Sequence, residues 1–340
     1  MNATTRTTTT PMRINTTIIL TLFCACLSTA RAQNALISRM DSIMEARNRK
    51  AFAKYDTAYI GKPEQLWAVR IRTSSQGTDL RTRGNLDGLP FSSDLTAQPK
   101  NTIGASISYR GVSAGFSISP TKLAGKNKDN EFNFSSYGNR IGFDFSYMSA
   151  KTFSGNARHG DTPYDINAGS VTMKMLQTSA YYSFNNKRFS FPAVFSHSQV
   201  QKRSCGSLML GLAAFAGRIK SAAGTIPGSN GMNLSLINIA IGGGYAYNLV
   251  LKKAWLIHIS AMPHLVVFSR NKLTVGDTRQ RTPFKFPSLI NVGRLALVHN
   301  FKNKFIGASV IINLWHQGDK NKMKMESLKW RAQLFYGFRF

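Results

Sequence analysis

Acidic residues are scarce: 15 Asp and Glu stand against 44 Lys and Arg in 340 residues, for a formal charge of +29. Arg6, Arg13 and Arg31 precede residue 33 with no acid among them, and without these three the charge is +26. Such an excess points to anionic partners, while the few acids sit mostly in loops and give no clustered-acid protease site. Cysteine is nearly absent, and Cys205 alone follows the first 32 residues. One thiol excludes an intrachain disulfide and a Cys-based metal site in the remaining chain. No run of some 18 apolar residues follows residue 33, which excludes a helical membrane protein. The Gly242-Gly243-Gly244 run lies inside a strand pattern without a βαβ setting. It reads as a bend or close backbone packing, not as a phosphate loop.

What is present begins with an export signal. Arg13 is a short positive region, Ile18–Leu27 a compact apolar stretch, and Ala30-Arg31-Ala32 a small-x-small site. Residues 1–32 are read as a secretory signal peptide cut after Ala32. Residues 33–65 are read as a periplasmic helical lead, since Leu36, Ile37, Met40, Ile43 and Met44 fall at helical spacing.

From Leu66 the period changes to two. Trp67, Val69 and Ile71 alternate with Arg70 and Arg72; Ile141, Phe143, Phe145 and Tyr147 alternate with Arg140, Gly142, Asp144 and Ser146. The same pattern covers 103–109, 112–119 and 237–248, with mixed versions at 131–137, 172–186, 206–217, 255–268, 288–300 and 304–315. The last segment, Leu328–Phe340, places Leu334, Tyr336, Phe338 and Phe340 on one face and Lys329, Arg331 and Arg339 on the other. Taken alone this is either a sandwich edge strand or a barrel stave ending in the C-terminal signal that the outer-membrane assembly machinery reads. Connections decide for the barrel. Long segments at 74–101, 120–130, 150–171, 218–233, 269–287 and 316–326 alternate with short turns near 110, 138, 250–254 and 301–303, as in outer-membrane barrels. The expectation is an all-β fold over 66–340, a transmembrane up-and-down antiparallel β-barrel of about 12 strands (range about 10–14), with a short N-terminal helix.

Residues 187–205 break the loop parity, because 19 residues stand where a short turn belongs. They hold either a hidden short strand or an inward periplasmic plug. Tyr182, Phe184, Asn185, then Phe189, Ser190, Pro192, Ala193, then Gln201, Lys202, Ser204, Gly206, Ser207 resemble a series found in Bacteroidetes envelope proteins. Those proteins form a family defined only as a domain of unknown function. The resemblance covers the chain from about Tyr59 onward and implies an outer-membrane barrel-like fold with no known activity.

Candidate chemistry is sparse. His258 and Ser260 share a strand face with His264, the only Ser/His pair of interest, but the register that sends Ile257, Ile259 and Ala261 to lipid turns them inward. An ordinary lumen histidine is preferred to a lipid hydrolase, and His197-Ser198 are adjacent and diverge if extended. His258, His264 and His316 have no carboxylate at ligand spacing. No enzyme, cofactor or metal is expected. Arg70, Arg72, Arg140, Lys174, Lys329, Arg331 and Arg339 are expected to face the lumen, with Asp144 as an opposing acid, giving a field that favours anionic solutes. Lys122, Lys126, Lys128, Arg270, Lys272, Arg279, Arg281, Lys285, Lys320, Lys322 and Lys324 crowd the loops and are suited to lipopolysaccharide phosphates. Nucleic acid is not an expected partner of an exported chain. Three roles remain open: a narrow anion-biased channel or structural barrel, a lipid hydrolase, and a surface or envelope-assembly interaction protein.

Overall fold

The computed structural model describes residues 42–43, 45–46, 49, 52–86, 88–109, 112–125, 129–225, 231–275, 278–281, 288–319 and 323–340. The signal peptide, Cys24, Cys26, most of the helical lead, and Lys126, Lys128, Lys285, Lys320 and Lys322 lie outside the described residues. Described positions of the lead between 42 and 52 are helical. No helix among the described residues is long and apolar enough to cross a membrane.

Two compact units divide the chain at Ala53/Lys54, so residues 54–65 belong to the unit that carries the barrel. That unit comprises β1 (Ile60–Gly61), β2 (Trp67–Leu86), β3 (Leu89–Thr96), β4 (Lys100–Tyr109), β5 (Val112–Ile118), α1 (Pro120–Leu123), β6 (Asn130–Tyr137), β7 (Ile141–His159) and β8 (Thr162–Ser183). It continues through α2 (Pro192–Phe195), β9 (Val200–Gln201), β10 (Cys205–Ser221), β11 (Met232–Leu251), β12 (Trp255–Ser269), β13 (Lys272–Val275), β14 (Thr278–Arg281), β15 (Leu289–Phe301), β16 (Lys304–Asp319) and β17 (Met323–Arg339). Every strand pair is antiparallel, and β17 returns to β2 to close the wall. Trp67 and Phe340 exchange backbone hydrogen bonds at 3.0 Å and stack their rings at the seam. Closure matters because an open sheet edge in lipid leaves backbone groups unsatisfied.

The strand count changes with height. Among the described residues, near the start of β2 and the end of β17, β2, β4, β5, β6, β7, β8, β10, β11, β12, β15, β16 and β17 give the expected 12 staves. Higher up, β3 continues the line of β4 but pairs with both β2 and β7, closing above β5 and β6 and leaving ten. Among the described residues no ladder joins β5 to β6.

Two expected long loops are strand instead. Residues 74–101 mostly extend β2 and return as β3, and 150–171 extend β7 and return as β8, through tight turns at Gly88 and Gly160, both with positive φ. The start of β2 and the end of β17 lie on the opposite rim, with the turns at 138–140, 252–254 and 302–303, which is the periplasmic rim in barrels of this kind.

The outer surface is apolar in its lower part. Val69, Ile71, Phe143, Leu210, Leu212, Ile241, Ile257, Ile259, Ile306 and Leu334 form a belt, and Trp67, Trp255, Phe301, Tyr336, Phe338 and Phe340 stand at its periplasmic edge. Above the belt the outside turns polar and the inside apolar. Leu80, Leu95, Phe153, Met173, Met175, Phe215, Leu234, Val266, Trp315 and Met325 fill the upper interior as one packed core.

Candidate functional site: the filled barrel interior

The segment between β8 and β10 enters the barrel from the periplasmic rim. Phe189 and Phe191 are fully buried, and Pro192, at the first turn where its missing N–H is harmless, starts α2. Phe191 and Phe195 stack with Tyr137, while Tyr181 closes on Phe191 at 4.5 Å. The segment is therefore a plug, and it also contains a short hidden strand, β9. Ile60 and Gly61 pair with Gln201 and Val200 from beneath. Arg188 meets Asp56 at 3.0 Å, and the Lys202 amide donates to the Tyr59 carbonyl at 2.7 Å.

Gln201 organises the plug. Its Oε1 accepts from the Ser190 amide (3.0 Å) and from Asn248 Nδ2 (3.1 Å), and its Nε2 donates to the Arg188 carbonyl (2.7 Å). Asn248 Nδ2 also donates to the Ser190 carbonyl at 2.9 Å, which leaves Oδ1 facing His258 Nδ1 at 2.7 Å. With its Nδ1–H donated there, the ring presents Nε2 to the Ser260 hydroxyl at 3.1 Å. Arg70 Nη1 donates to the Phe195 carbonyl at 3.0 Å, and Arg339 Nη2 to the Asn300 side chain at 3.2 Å. Beside Arg339, His197 holds a left-handed backbone (φ 56°) and stacks on Phe305 and Phe335. Burial, with Arg70 and Arg339 beside it, holds this imidazole well below its ordinary 6.5.

Between plug and upper core lies a charged layer. Arg294, 1% exposed, meets Asp144 at 2.5 Å, and Asp144 also accepts from the Tyr137 hydroxyl at 2.7 Å. Lys329 is held by Glu131 and by Ser146 Oγ, both at 2.7 Å. Glu131, Asp144, Ser146, Arg294, Lys329 and Arg331 line a cavity of about 70 Å³, enough to hold water. Pairing is what makes such burial tolerable: an unpaired buried charge would carry a penalty of several kcal/mol.

The model of a domain of unknown function (DUF4421) matches residues 54–340, the whole unit just described. The chain belongs to that family. No curated protein matches it in sequence. Solved structures with similar folds include the outer-membrane protease OmpT from Escherichia coli, at 8% identity and a TM-score of 0.45, over 82% of this chain and 97% of that one. The translocator domain of the autotransporter NalP from Neisseria meningitidis is 8% identical, with a TM-score of 0.30, over 91% and 98%. The outer-membrane protein OprG from Pseudomonas aeruginosa is 10% identical, with a TM-score of 0.29, over 82% and 98%. These likenesses concern the fold alone.

In this DUF4421 member the seven basic residues expected in the lumen divide. Arg70, Arg72, Lys329, Arg331 and Arg339 do face inward. Arg140 does not: it lies in the 138–140 turn and folds outward over the Tyr182 ring. Lys174 is exposed on the outer wall, because its neighbours Met173 and Met175 take the interior. Sequence reasoning missed Arg294, since β15 is apolar on both faces (Val292 and Ala296 inward, Leu295 and Leu297 outward) and no alternation marks its lumen side. Glu131 was missed as Lys329's partner because nothing local links β6 to β17. Leu334, Tyr336, Phe338 and Phe340 all lie on the outer face. At Gly242 a Cβ would sit 2.1 Å from the Pro263 carbonyl oxygen, so the glycine run does serve close packing.

Proposed function

We propose that this chain is a self-plugged barrel of the Gram-negative outer membrane, closed at rest, acting as a structural or envelope-interaction protein and not as an open anion channel. The supporting observation is the interior. The plug fills the periplasmic half, the Arg294–Asp144 and Lys329–Glu131 pairs cross the middle, and apolar side chains pack the upper half. A conducting lumen needs a continuous polar surface, and along the described inner face the plug and the apolar upper core interrupt it. The test is reconstitution in planar bilayers under a salt gradient. The wild type should show no steady conductance, and anion-selective steps from it would overturn the reading.

A second reading, a lipid hydrolase, is favoured by one observation. Ser260, His258 and Asn248 form a hydrogen-bonded chain of nucleophile, base and orienting amide. Phe191 and Phe195 cover His258, with ring centroids at 5.2 and 5.3 Å, so the chain would act only after the plug moved. Lipid hydrolysis by the wild type that disappears in His258→Ala would support it; no hydrolysis and no labelling of Ser260 by a fluorophosphonate would end it.

A further inference from the structure

The outer wall just above the apolar belt differs between its two sides. On the β2–β3–β17 side each outward cation among the described residues has an acid. Asp94 holds Arg83 at 2.6 Å and Arg81 at 3.6 Å, and Glu326 holds Lys324 at 2.5 Å. On the β7–β8–β10 side Lys151, Lys174, Arg218 and Lys220 are all exposed, and no side-chain hydrogen bond or ion pair engages them among the described residues. Asp129, the acid that touches this stretch of β7, is buried and accepts from the Lys151 amide and the Thr152 hydroxyl, both at 2.6 Å.

The registers place these cations tightly. Ser149, Lys174, Arg218 and Ser235 form one row across β7, β8, β10 and β11. Lys220, between Thr172 and Asn233, lies one outward position higher, and Lys151 follows Ser149 by two residues on β7. The outward row beneath is Tyr147, Leu176, Ala216 and Ile237, the upper edge of the apolar belt. Lys174 directly opposite Arg218 is unfavourable by itself, since like charges on facing strand positions repel. An anion held between them reverses the sign. A phosphate suits the pair, with Arg218 forking onto two oxygens and the lysines contributing compact charge.

We propose that this patch binds a multiply phosphorylated lipid of the outer leaflet, with its phosphates on Lys151, Lys174, Arg218 and Lys220 and its acyl chains on the Tyr147–Leu176–Ala216–Ile237 row. From the preceding reading it takes only the membrane orientation; it does not depend on whether the lumen is closed. Continuity of charge and apolar surface selects a lipid over a free anion, because soluble phosphate would use the cations and leave the row beneath unused.

The experiment is native mass spectrometry of the detergent-solubilised full-length mature protein titrated with bisphosphorylated lipid A. The K151Q/K174Q/R218Q/K220Q variant should bind about tenfold or more weakly. R81Q/R83Q/K324Q, which removes three cations from the paired wall, should stay within about twofold of wild type, the scale of exposed ion pairs. Dephosphorylated lipid A should bind the wild type as weakly as phosphorylated lipid A binds the quadruple variant, and millimolar inorganic phosphate should not displace the lipid. Equal losses in both variants would reduce the effect to general charge, and displacement by phosphate would make the patch a free-anion site. Either result overturns the proposal, as does unchanged binding in the quadruple variant. Heat-modifiable gel mobility checks that each barrel is closed. If the quadruple variant fails that check, Arg218→Gln alone decides, with a loss of several-fold expected. Conductance measured on the same samples keeps failure of this proposal separate from failure of the closed-barrel reading.

Discussion

The two halves of this barrel are built inside out with respect to each other. In the lower half Leu212, Ile241, Ile259 and Leu334 face outward, and the interior takes Arg70, Arg339, His258 and the plug. In the upper half Arg81, Arg83, Lys174 and Arg218 face outward, and the interior takes Leu80, Phe153, Met173 and Trp315. The same strands run through both. A side-chain alternation that puts apolar residues on lipid below must therefore invert its meaning above, and the inversion coincides with the Arg294–Asp144 layer. What differs is the solvent: the belt meets hydrocarbon, whereas the upper wall meets water and needs a core of its own.

The layer where the halves meet carries the largest expected effect. Asp144→Ala leaves the Arg294 guanidinium buried without its carboxylate, at a cost of about 3–5 kcal/mol. Urea titration in lipid vesicles, followed by tryptophan fluorescence, should show the midpoint fall. A joint Asp144→Leu/Arg294→Met variant should recover much of the loss, since well-packed apolar replacements of a buried pair are often neutral or better. If the single change leaves the midpoint where it was, the charged layer is not what couples the halves.

Legibility of the sequence follows the same division. Below the layer, lipid outside and polar groups inside reproduce the expected alternation, so the sequence pattern gives the observed faces over Trp67–Ile71, 103–108, Ile141–Tyr147 and Leu328–Phe340. Above it, the polar outer face made 74–101 and 150–171 resemble loops, and the rule that polar means lumen sent Lys174 to the wrong side. The loop-parity break at 187–205 located the plug, because length alone demanded an explanation. The partners that hold it did not follow: Gln201 reaches Asn248, and Arg70 reaches Phe195 over 125 residues, contacts that only tertiary structure creates.

The contrast in outer solvent is itself testable. Leu212→Arg, in the middle of the belt on β10, should cost about 2–4 kcal/mol of stability in vesicles. His316→Arg, on the polar outer face of β16, should stay within about 0.5 kcal/mol. Equal costs would mean that the belt ends elsewhere than the side-chain pattern places it.

Acidification should act on the lower half through His197. Seated, its imidazole is held neutral with a pKa well below 6.5; released with the plug, it titrates at its ordinary value. Above pH 6.5 both forms are neutral and nothing changes. Below it only the released form gains a proton, so seating weakens by about 1.4 kcal/mol per pH unit until the seated pKa is reached. Amide exchange over residues 189–201, corrected for its intrinsic pH dependence, should speed up between pH 7 and 5, and His197→Asn should lower that slope. A slope untouched by the substitution would assign the pH response to another group.

The smallest effect belongs to the upper wall. Asp94→Asn breaks the ion pairs of Arg81 and Arg83, whose side chains and that of Asp94 are about half or more exposed. In water such pairs contribute roughly 0–1 kcal/mol, against several for Asp144. The urea midpoint should barely move, and what loss there is should vanish in 1 M salt, where the screening length is about 3 Å. These two aspartates differ chiefly in what surrounds them, one in water on the outside of the upper wall and one sealed between plug and core. A large, salt-resistant loss at Asp94 would mean that the upper outer face is covered in the membrane, and the inversion at the charged layer would lose its physical basis.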